Sequence, residues 1–123
     1  MRRRQDALRS PEGLLPTEVS ILTAGVKLSR QGVEHFHGFM IAREVQGLEG
    51  GRLLSHGSLY RALHRLEQAE LLTSWWEDPE LAERERRPRR RLYSVTGVGV
   101  EMLKGALKLQ VPGKPQLRLR PAT

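Results

Sequence analysis

The chemistry that stands out first in this chain is an arginine-rich run at residues 84–91. The run reads RERRPRRR, with six arginines, one glutamate and one proline. A guanidinium stays charged at any physiological pH and can bind a phosphate through two parallel hydrogen bonds. The flanking residues 71–76 and 91–95 have the composition of strands. The pattern therefore predicts a short cationic hairpin for a polyanion such as the nucleic-acid backbone, with a solvated charge run as the alternative.

A second set of polar residues lies on one side of a predicted helix just upstream. Apolar residues recur at i, i+3, i+4 and i+7 from Leu59 to Leu66, after helix-capping residues at 55–58. The other side carries Ser58, Arg61, His64, Arg65 and Gln68. Arginine on such a face can contact a phosphate or the O6 and N7 atoms of guanine, and Ser58 with the helix amides can bind a phosphate.

Each of these residues also has a purely structural interpretation. Arg61 and Arg65 can lie on a solvated face and pair with Glu67 and Glu44, and Ser58 can be a plain capping residue. Tyr60 can donate to a phosphate or pack where two helices meet. The strand residues Trp75 and Trp76 must alternate across a sheet, so at least one is expected in the core. An exposed partner could stack on an aromatic effector or cover a dimer seam.

Catalysis and metal binding have no support in the sequence. The chain has no cysteine, and its four histidines lack the i, i+4 spacing of a helical zinc site. There is no glycine-rich phosphate loop, no nucleophile elbow and no acid pair in an apolar setting. We therefore expect neither an enzyme nor a bound metal or cofactor.

The elements that must position the two polar sets follow from the apolar periodicity. The fold class predicted is α+β, mostly α, in the order of a winged helix-turn-helix domain: the third helix is free to enter a major groove, and the hairpin reaches phosphates or the minor groove. The predicted elements are a helix from Thr17, a helix at 38–46, the helix that follows Ser55, strands at 71–76 and 91–95, and a last helix from Thr96–Gly97 that stops before Pro112.

Length and charge agree with a single basic domain. The 123 residues carry 21 Lys and Arg against 14 Asp and Glu, a formal net charge of +7, which favours an anionic partner. No apolar run approaches the roughly 18 residues of a membrane span, and no signal segment is evident, so a soluble intracellular protein is expected. The predicted divisions are a flexible basic arm at 1–13, the winged domain at 14–95, a dimerisation helix at 96–110 and a flexible tail at 111–123.

The segment SHGSLYRALHR at residues 55–65 resembles the start of the recognition helix in the PadR family of bacterial transcriptional regulators. The resemblance covers about residues 15–109. Its other matching positions are His37-Gly38-Phe39, Leu66-Glu67, Glu70-Leu71-Leu72, Trp76-Glu77, Arg89-Arg90, Tyr93 and Thr96-Gly97. The chain departs from the family pattern in a longer stretch at 27–36, a wing without the common glycine, and a last helix that ends early.

The resemblance implies a cytoplasmic, homodimeric transcriptional repressor that binds double-stranded DNA, with the last helix and often the first at the dimer interface. Some family members release DNA when a small aromatic ligand binds. The DNA-binding residues expected here are Ser55, His56, Ser58, Tyr60, Arg61, His64, Arg65, Arg87, Arg89 and Arg90. The dimer-interface residues expected are Val19, Leu22, Val98, Met102, Leu103, Ala106 and Leu107.

Two other functions remain open from the residues alone. A winged helix can serve as a protein-interaction scaffold whose basic hairpin docks on an acidic partner. The high positive charge is also compatible with non-specific nucleic-acid binding.

Overall fold

The structure is a computed structural model that describes residues 13–48, 50–51 and 54–110. The predicted arm, apart from Gly13, and the predicted tail lie outside the described residues. The elements in chain order are α1 (Pro16–Arg30), β1 (Phe36–His37), α2 (Gly38–Leu48), α3 (His56–Gln68), β2 (Leu72–Trp76), α4 (Pro79–Arg84), β3 (Arg91–Val95) and α5 (Gly97–Gln110). This arrangement confirms the predicted winged helix-turn-helix fold.

The first helix is set by its N-terminal residues. Pro16 occupies the first turn, where a missing amide proton is harmless, and the Glu18 carboxylate accepts a hydrogen bond from the Leu15 backbone amide at 2.9 Å. The helix then continues to Arg30, which accounts for much of the long stretch noted at 27–36.

The sheet contains a strand that the sequence did not reveal. The strand order is β1-β3-β2, and both pairings are antiparallel. Tyr93 in the central strand pairs with Phe36 on one side and with Ser74 on the other. The two predicted wing strands are confirmed, but β1 has only two residues, which is too short for an alternating pattern to show.

The arginine-rich run does not form a simple loop from strand to strand. A short helix, α4, fills the first part of the connection, and the Asp78 side chain caps it by accepting from the Glu80 amide at 2.9 Å. Pro79 is the first residue of the helix, and Ala82 is the buried residue on its inner side. The Asp-Pro-Glu sequence is a helix-start signal that the charge of the following arginines obscured.

One apolar core joins the helices to the inner face of the sheet. Its fully buried large side chains include Ile21, Leu22, Phe36, Ile41, Leu63, Leu66 and Leu71. Three residues expected at the dimer interface, Leu22, Leu103 and Ala106, belong to the interior of the single chain, with at most 5% of their surface exposed. Their side chains pack within their own chain and leave little surface for a second copy.

The other four predicted dimer residues keep some accessible surface. Val19 and Met102 are half-buried and pack against the core. Val98 and Leu107 are 50% and 40% exposed. The expectation that one tryptophan lies in the core is wrong, because Trp75 and Trp76 are both exposed.

The last helix is docked through its first turn onto the corner between α3 and β2. The Thr96 amide donates to the Leu71 carbonyl at 3.0 Å, and the Thr96 hydroxyl donates to the Glu70 carbonyl at 2.9 Å. The same hydroxyl accepts from the Gly99 amide at 2.9 Å. These bonds fix the direction in which α5 leaves the winged domain and runs alongside α1.

Candidate nucleic-acid interface

Ser55 is the N-cap of α3. Ser55 accepts from the Ser58 amide at 3.1 Å, and the two serine hydroxyls are 3.0 Å apart. Arg61 donates to the Ser58 hydroxyl at 3.4 Å, whereas Glu67, the partner considered from the sequence, accepts from Ser74. The cap and the first turn therefore present polar groups at the end of the helix, where the dipole favours anions.

The outward side of α3 is a shallow, open surface beside the first two turns. It is lined by Gly57, Tyr60, Arg61, His64 and Arg65. The opposite side of the helix is buried in the core through Leu59, Ala62, Leu63 and Leu66. The structure thus brings most of the predicted helix residues onto one exposed face.

Tyr60 packs at the corner between α2 and α3. A Cβ atom placed on Gly38 would lie 1.9 Å from the Tyr60 hydroxyl oxygen, so only glycine allows this approach. The His56 ring lies 5.0 Å from the Tyr60 ring. Of the two interpretations of Tyr60, packing at the corner is therefore observed, while 38% of its surface remains exposed toward solvent.

Arg65 has a structural partner that sequence spacing could not indicate. Its Nε donates to Glu18 Oε2 at 2.8 Å across 47 positions of the chain, and Glu18 is fully buried. Glu44, the partner considered from the sequence, pairs instead with Lys27 at 3.4 Å. Arg65 is 40% exposed, so it anchors α3 to α1 while part of its side chain stays on the α3 surface.

Arg87 faces inward, contrary to its predicted role on the wing surface. Its Nη1 and Nη2 donate to the two carboxylate oxygens of buried Glu77 at 2.7 and 2.9 Å, and its Nε donates to Glu85 at 2.8 Å. Only 18% of its side chain is exposed. A guanidinium engaged on three nitrogens has no free fork for phosphate, so Arg87 is a structural residue.

The Glu77–Arg87 pair also fixes the start of β3. Glu77 Oε1 accepts from the Arg90 amide at 3.1 Å, and the Glu77 amide donates to the Arg90 carbonyl at 2.9 Å. The hydrogen bonds from Arg87 lower the pKa of Glu77 to about 2, and the same bonds raise the pKa of Arg87. The carboxylate is therefore ionised throughout the neutral range.

The cations that the wing presents outward follow Pro88. Arg89 and Arg90 are exposed, as predicted, and Arg91 is half-buried. The guanidinium carbons of Arg89 and Arg91 lie 5.4 and 5.2 Å from the centre of the Trp76 ring. Arg91 was missed from sequence because its role depends on strand register: it pairs directly with Trp76 across β2 and β3.

Glu67 connects the wing to α3. It accepts a hydrogen bond from the Ser74 hydroxyl on β2, and its carboxylate is 3.7 Å from Arg91 on β3. The angle between helix and wing is thereby held by side-chain contacts as well as by the core. The polar face of α3 and the cationic wing form one structural unit.

An aromatic pair lies where β1 meets α2. The rings of His37 and Phe39 are stacked 6.5 Å apart, and Arg43 lies over Phe39 at 5.9 Å. Burial lowers the pKa of His37, and the charges of Arg90 and Arg87 lower it further. His37 is therefore neutral at pH 7 and adds no charge to this region.

Metal ligands do not cluster in the part of the chain that the structure describes. No group of three or more His, Asp and Glu side chains there could hold a metal ion. Over the same residues, no helix has the length and apolar character needed to cross a bilayer.

Comparison with known proteins agrees with this geometry. The sequence model of the "Transcriptional regulator PadR-like family" matches residues 28–105, from the end of α1 through most of α5. No curated protein matches the chain.

Two solved structures share the fold. A transcriptional regulator from Clostridium thermocellum has a TM-score of 0.58 at 18% identity, over 75% of this chain and 79% of its own. The circadian clock associated protein Pex from Anabaena has a TM-score of 0.52 at 24% identity, over 76% of each chain. With most of the winged domain and its last helix matched, the chain belongs to the PadR-like family of transcriptional regulators.

Proposed function

We propose that this protein is a homodimeric transcriptional repressor that binds double-stranded DNA sequence-specifically. The observation that carries the proposal is the rigid connection between an exposed polar helix face and a cationic wing through Glu67. A helix fits the major groove, which is about 12 Å wide, while a wing beside it reaches the flanking backbone. Membership of a family of transcriptional regulators supports the same interaction.

Within this proposal the residues divide between reading bases and holding the backbone. Arg61 and His64 are exposed near the middle of α3 and are the side chains placed to reach base edges. Ser55, His56 and Ser58 bring the positive end of the helix toward a phosphate. Arg89 and Arg90 bind the backbone from the wing, and Arg65 contributes from the edge of the helix face.

The dimer is proposed to form through a stripe on α5 that is exposed at its two ends and half-buried between them in the single chain. The stripe consists of Val98, Met102, Gly105 and Leu109, which are spaced 4, 3 and 4 residues apart, as in the seam of a coiled coil. Val98 and Leu109 are 50% and 51% exposed. Leu109 replaces the buried residues of the original interface prediction, and Gly105 lets a second copy approach closely.

Two copies joined in this way suit an inverted repeat. Half-sites one helical turn apart require recognition helices about 34 Å from each other. A dimer bound there would exclude polymerase from an overlapping promoter by steric hindrance. Dimerisation and repression stand or fall with this arrangement.

A groove between α1 and α5 is our candidate site for a small aromatic effector. The groove has a volume of about 330 Å³ and an apolar floor that includes Val26, Val100 and Leu107. Lys27, Arg30 and Lys104 also line it. We propose that an effector of the kind known in the family would bind in this groove, where it would touch both the winged domain and the dimerisation helix.

Selection of bound sequences from a random duplex pool at about 150 mM salt tests the proposed function. We expect an enriched inverted repeat that competes against bulk DNA by a factor of roughly 10³ or more. Binding of every duplex without enrichment would instead identify a non-specific nucleic-acid binder. Failure to bind duplex at all, with retention of an acidic protein partner, would favour the scaffold function.

A further inference from the structure

The wing carries a large aromatic side chain in an exposed position next to its arginines. Trp76 is the last residue of β2, and 54% of its surface is accessible. An exposed tryptophan is not unusual by itself, but its ring can interact with charged groups that lie beside it. The neighbours of Trp76 therefore decide what the ring can do.

Two cations lie over the ring. The Arg89 and Arg91 guanidinium carbons are 5.4 and 5.2 Å from its centre, within the range of an attractive cation–π contact. An arginine at an exposed strand end would otherwise sample many rotamers, and ordering such a side chain costs free energy on binding. The tryptophan therefore holds two guanidinium groups in place before any ligand arrives.

The position of the cluster follows from the sheet register. Trp76 shares a face of the sheet with Ser74, because alternate residues of a strand point to the same side. Ser74 and Arg91 both contact Glu67 on α3. The Trp76–Arg89–Arg91 cluster therefore lies on the α3 side of the wing, where a DNA strand would pass from the groove that α3 enters toward the wing.

The neighbouring residue makes the cluster rigid. Glu77 follows Trp76 directly and binds both the Arg87 guanidinium and the Arg90 amide. The ends of β2 and β3 are thus fixed to each other at the point where Trp76 faces Arg91. Arg87 therefore stabilises the end of the wing, while Arg89 and Arg91 lie on its surface over the Trp76 ring.

We propose that Trp76 is a positioning residue for DNA binding, which stacks Arg89 and Arg91 so that together they bind the phosphates of the strand between α3 and the wing. The inference rests on the proposed function and adds to it Trp76 and Arg91, to which neither composition nor family membership assigns a role. Two guanidinium groups already lie over the ring, so the cluster fits a phosphate backbone better than a stacked base or an aromatic ligand.

Adjacent tryptophans provide a matched pair of variants. Trp76→Leu keeps an apolar side chain and every arginine but removes the π system, while Trp75→Leu makes the same change on the other face of the sheet. For a duplex from the selection above, we expect Trp76→Leu to bind roughly threefold to tenfold more weakly. The slope of log affinity against log salt concentration should become shallower by the amount expected for the loss of about one to two phosphate contacts. Trp75→Leu should stay within about twofold of the parent protein.

Restoring an aromatic ring separates positioning from general stability. Trp76→Phe retains a π face and should recover most of the affinity and the salt dependence. Thermal unfolding followed by circular dichroism establishes that each variant is folded. A folded Trp76→Leu protein with unchanged affinity and salt dependence would overturn the proposal, and so would equal losses in the two leucine variants.

Fluorescence gives a test that needs no loss of function. In Trp75→Phe the only tryptophan is Trp76, and in Trp76→Phe it is Trp75. On titration with a labelled duplex, we expect the Trp76 emission to change with the same midpoint as the anisotropy of the label, and the Trp75 emission to stay constant. An anisotropy change without a Trp76 response would defeat this inference alone, whereas no anisotropy change with any duplex would defeat the proposed function and the inference together.

Discussion

Glu77 and Arg87 show how a residue in a charged run can serve the fold. The arginine lies among residues of a type that suits phosphate, yet its guanidinium binds a carboxylate with only a few per cent of its surface exposed. Nothing in the local sequence separates Arg87 from Arg89, because the distinction depends on Glu77, ten residues earlier. The pair joins the two wing strands at the position where the wing arginines are presented.

A pH-dependent stability follows from this pair. The pKa of Glu77 is about 2 in the folded protein and close to 4.5 in the unfolded chain. A lowered carboxyl pKa contributes stability that is present above the unfolded value and is lost as the pH falls through the folded value. Urea unfolding at several pH values should therefore show Glu77→Gln less stable than the parent at pH 7, with the difference narrowing between about pH 5 and pH 2.

Glu83→Gln is the control for that measurement, because Glu83 is exposed on α4. It should follow the parent curve at every pH. A stability difference for Glu77→Gln that stayed constant from neutral to acid pH would show that the pair contributes nothing through ionisation.

Arg61 and Arg65 should differ in what their loss affects. Arg61→Ala removes an exposed side chain that donates a hydrogen bond to the nearby capping serine Ser58, so the free energy of unfolding should change by less than about 0.5 kcal/mol. If it reads a base, DNA binding should weaken by about 1–3 kcal/mol and lose preference at one position of the site.

Arg65→Ala should lower stability as well as DNA affinity. The substitution removes the charge-assisted hydrogen bond that Arg65 donates to buried Glu18, which should lower the free energy of unfolding by about 1–3 kcal/mol. Chemical denaturation alongside titration of the selected duplex distinguishes the two arginines. Equal stability of both alanine variants would mean that the Arg65–Glu18 hydrogen bond between α1 and α3 does not contribute to the free energy of unfolding.

At the scale of elements, what the sequence could predict depended on length and periodicity. The helix after Ser55 was found because four apolar residues repeat over two turns behind a capping serine, and strand β3 was found with its observed bounds, Arg91–Val95. Strand β1 and helix α4 were missed because two residues and six residues carry too little pattern. The α3 face was predictable because outward polar residues are local, whereas Arg65 with Glu18 and Trp76 with Arg91 depend on tertiary contacts and strand register.

The apolar face of the last helix illustrates a further limit. Periodicity indicated a broad apolar face but not which part of it the chain covers itself. Leu103 and Ala106 pack inward, and the outer stripe that includes Leu109 stays accessible. The pattern of apolar residues alone does not show which side of such a helix its own chain covers.

The docking of α5 gives a prediction for the element as a whole. A Cβ atom at Gly99 would lie 2.3 Å from the Leu71 carbonyl oxygen and 2.9 Å from Val95. Because the oxygen belongs to the backbone at the corner of α3 and β2, it cannot move aside without shifting the strand. Gly99→Ala should therefore destabilise the protein by about 1–3 kcal/mol.

Gly97→Ala is the matched change two residues earlier, where a Cβ would meet nothing within 4 Å. It should alter the unfolding free energy by no more than about 0.5 kcal/mol. Thermal or urea unfolding of the two variants compares them directly. Similar values for both would mean that α5 does not depend on its close approach to Leu71.

For the whole molecule, the structure separates a self-contained core from an outer stripe on α5. Leu22, Leu103 and Ala106 are buried within one chain, so the core is complete without a second copy. The charge of +7 on each copy would oppose association, but α5 itself carries only Glu101, Lys104 and Lys108, a net charge of +1. Pairing along α5 is therefore compatible with a strongly basic protein, provided that the apolar stripe is intact.

Leu109→Lys tests that pairing in the intact protein. Leu109 is 51% exposed in the single chain, and a lysine near a helix C-terminus favours the helix dipole, so the monomer should fold normally. In the dimer it would place two charges in an apolar seam and remove two leucines from burial, weakening the dimer by at least about tenfold. Sedimentation equilibrium should show this shift in Leu109→Lys. The control Glu83→Gln changes the net charge by the same single unit and should not show it.

Binding to a selected inverted repeat should weaken in Leu109→Lys while binding to one half-site is kept, because each winged domain remains intact. A parent protein that is monomeric at micromolar concentration, or a lysine variant that dimerises like the parent, would rule out the α5 stripe as the dimer seam.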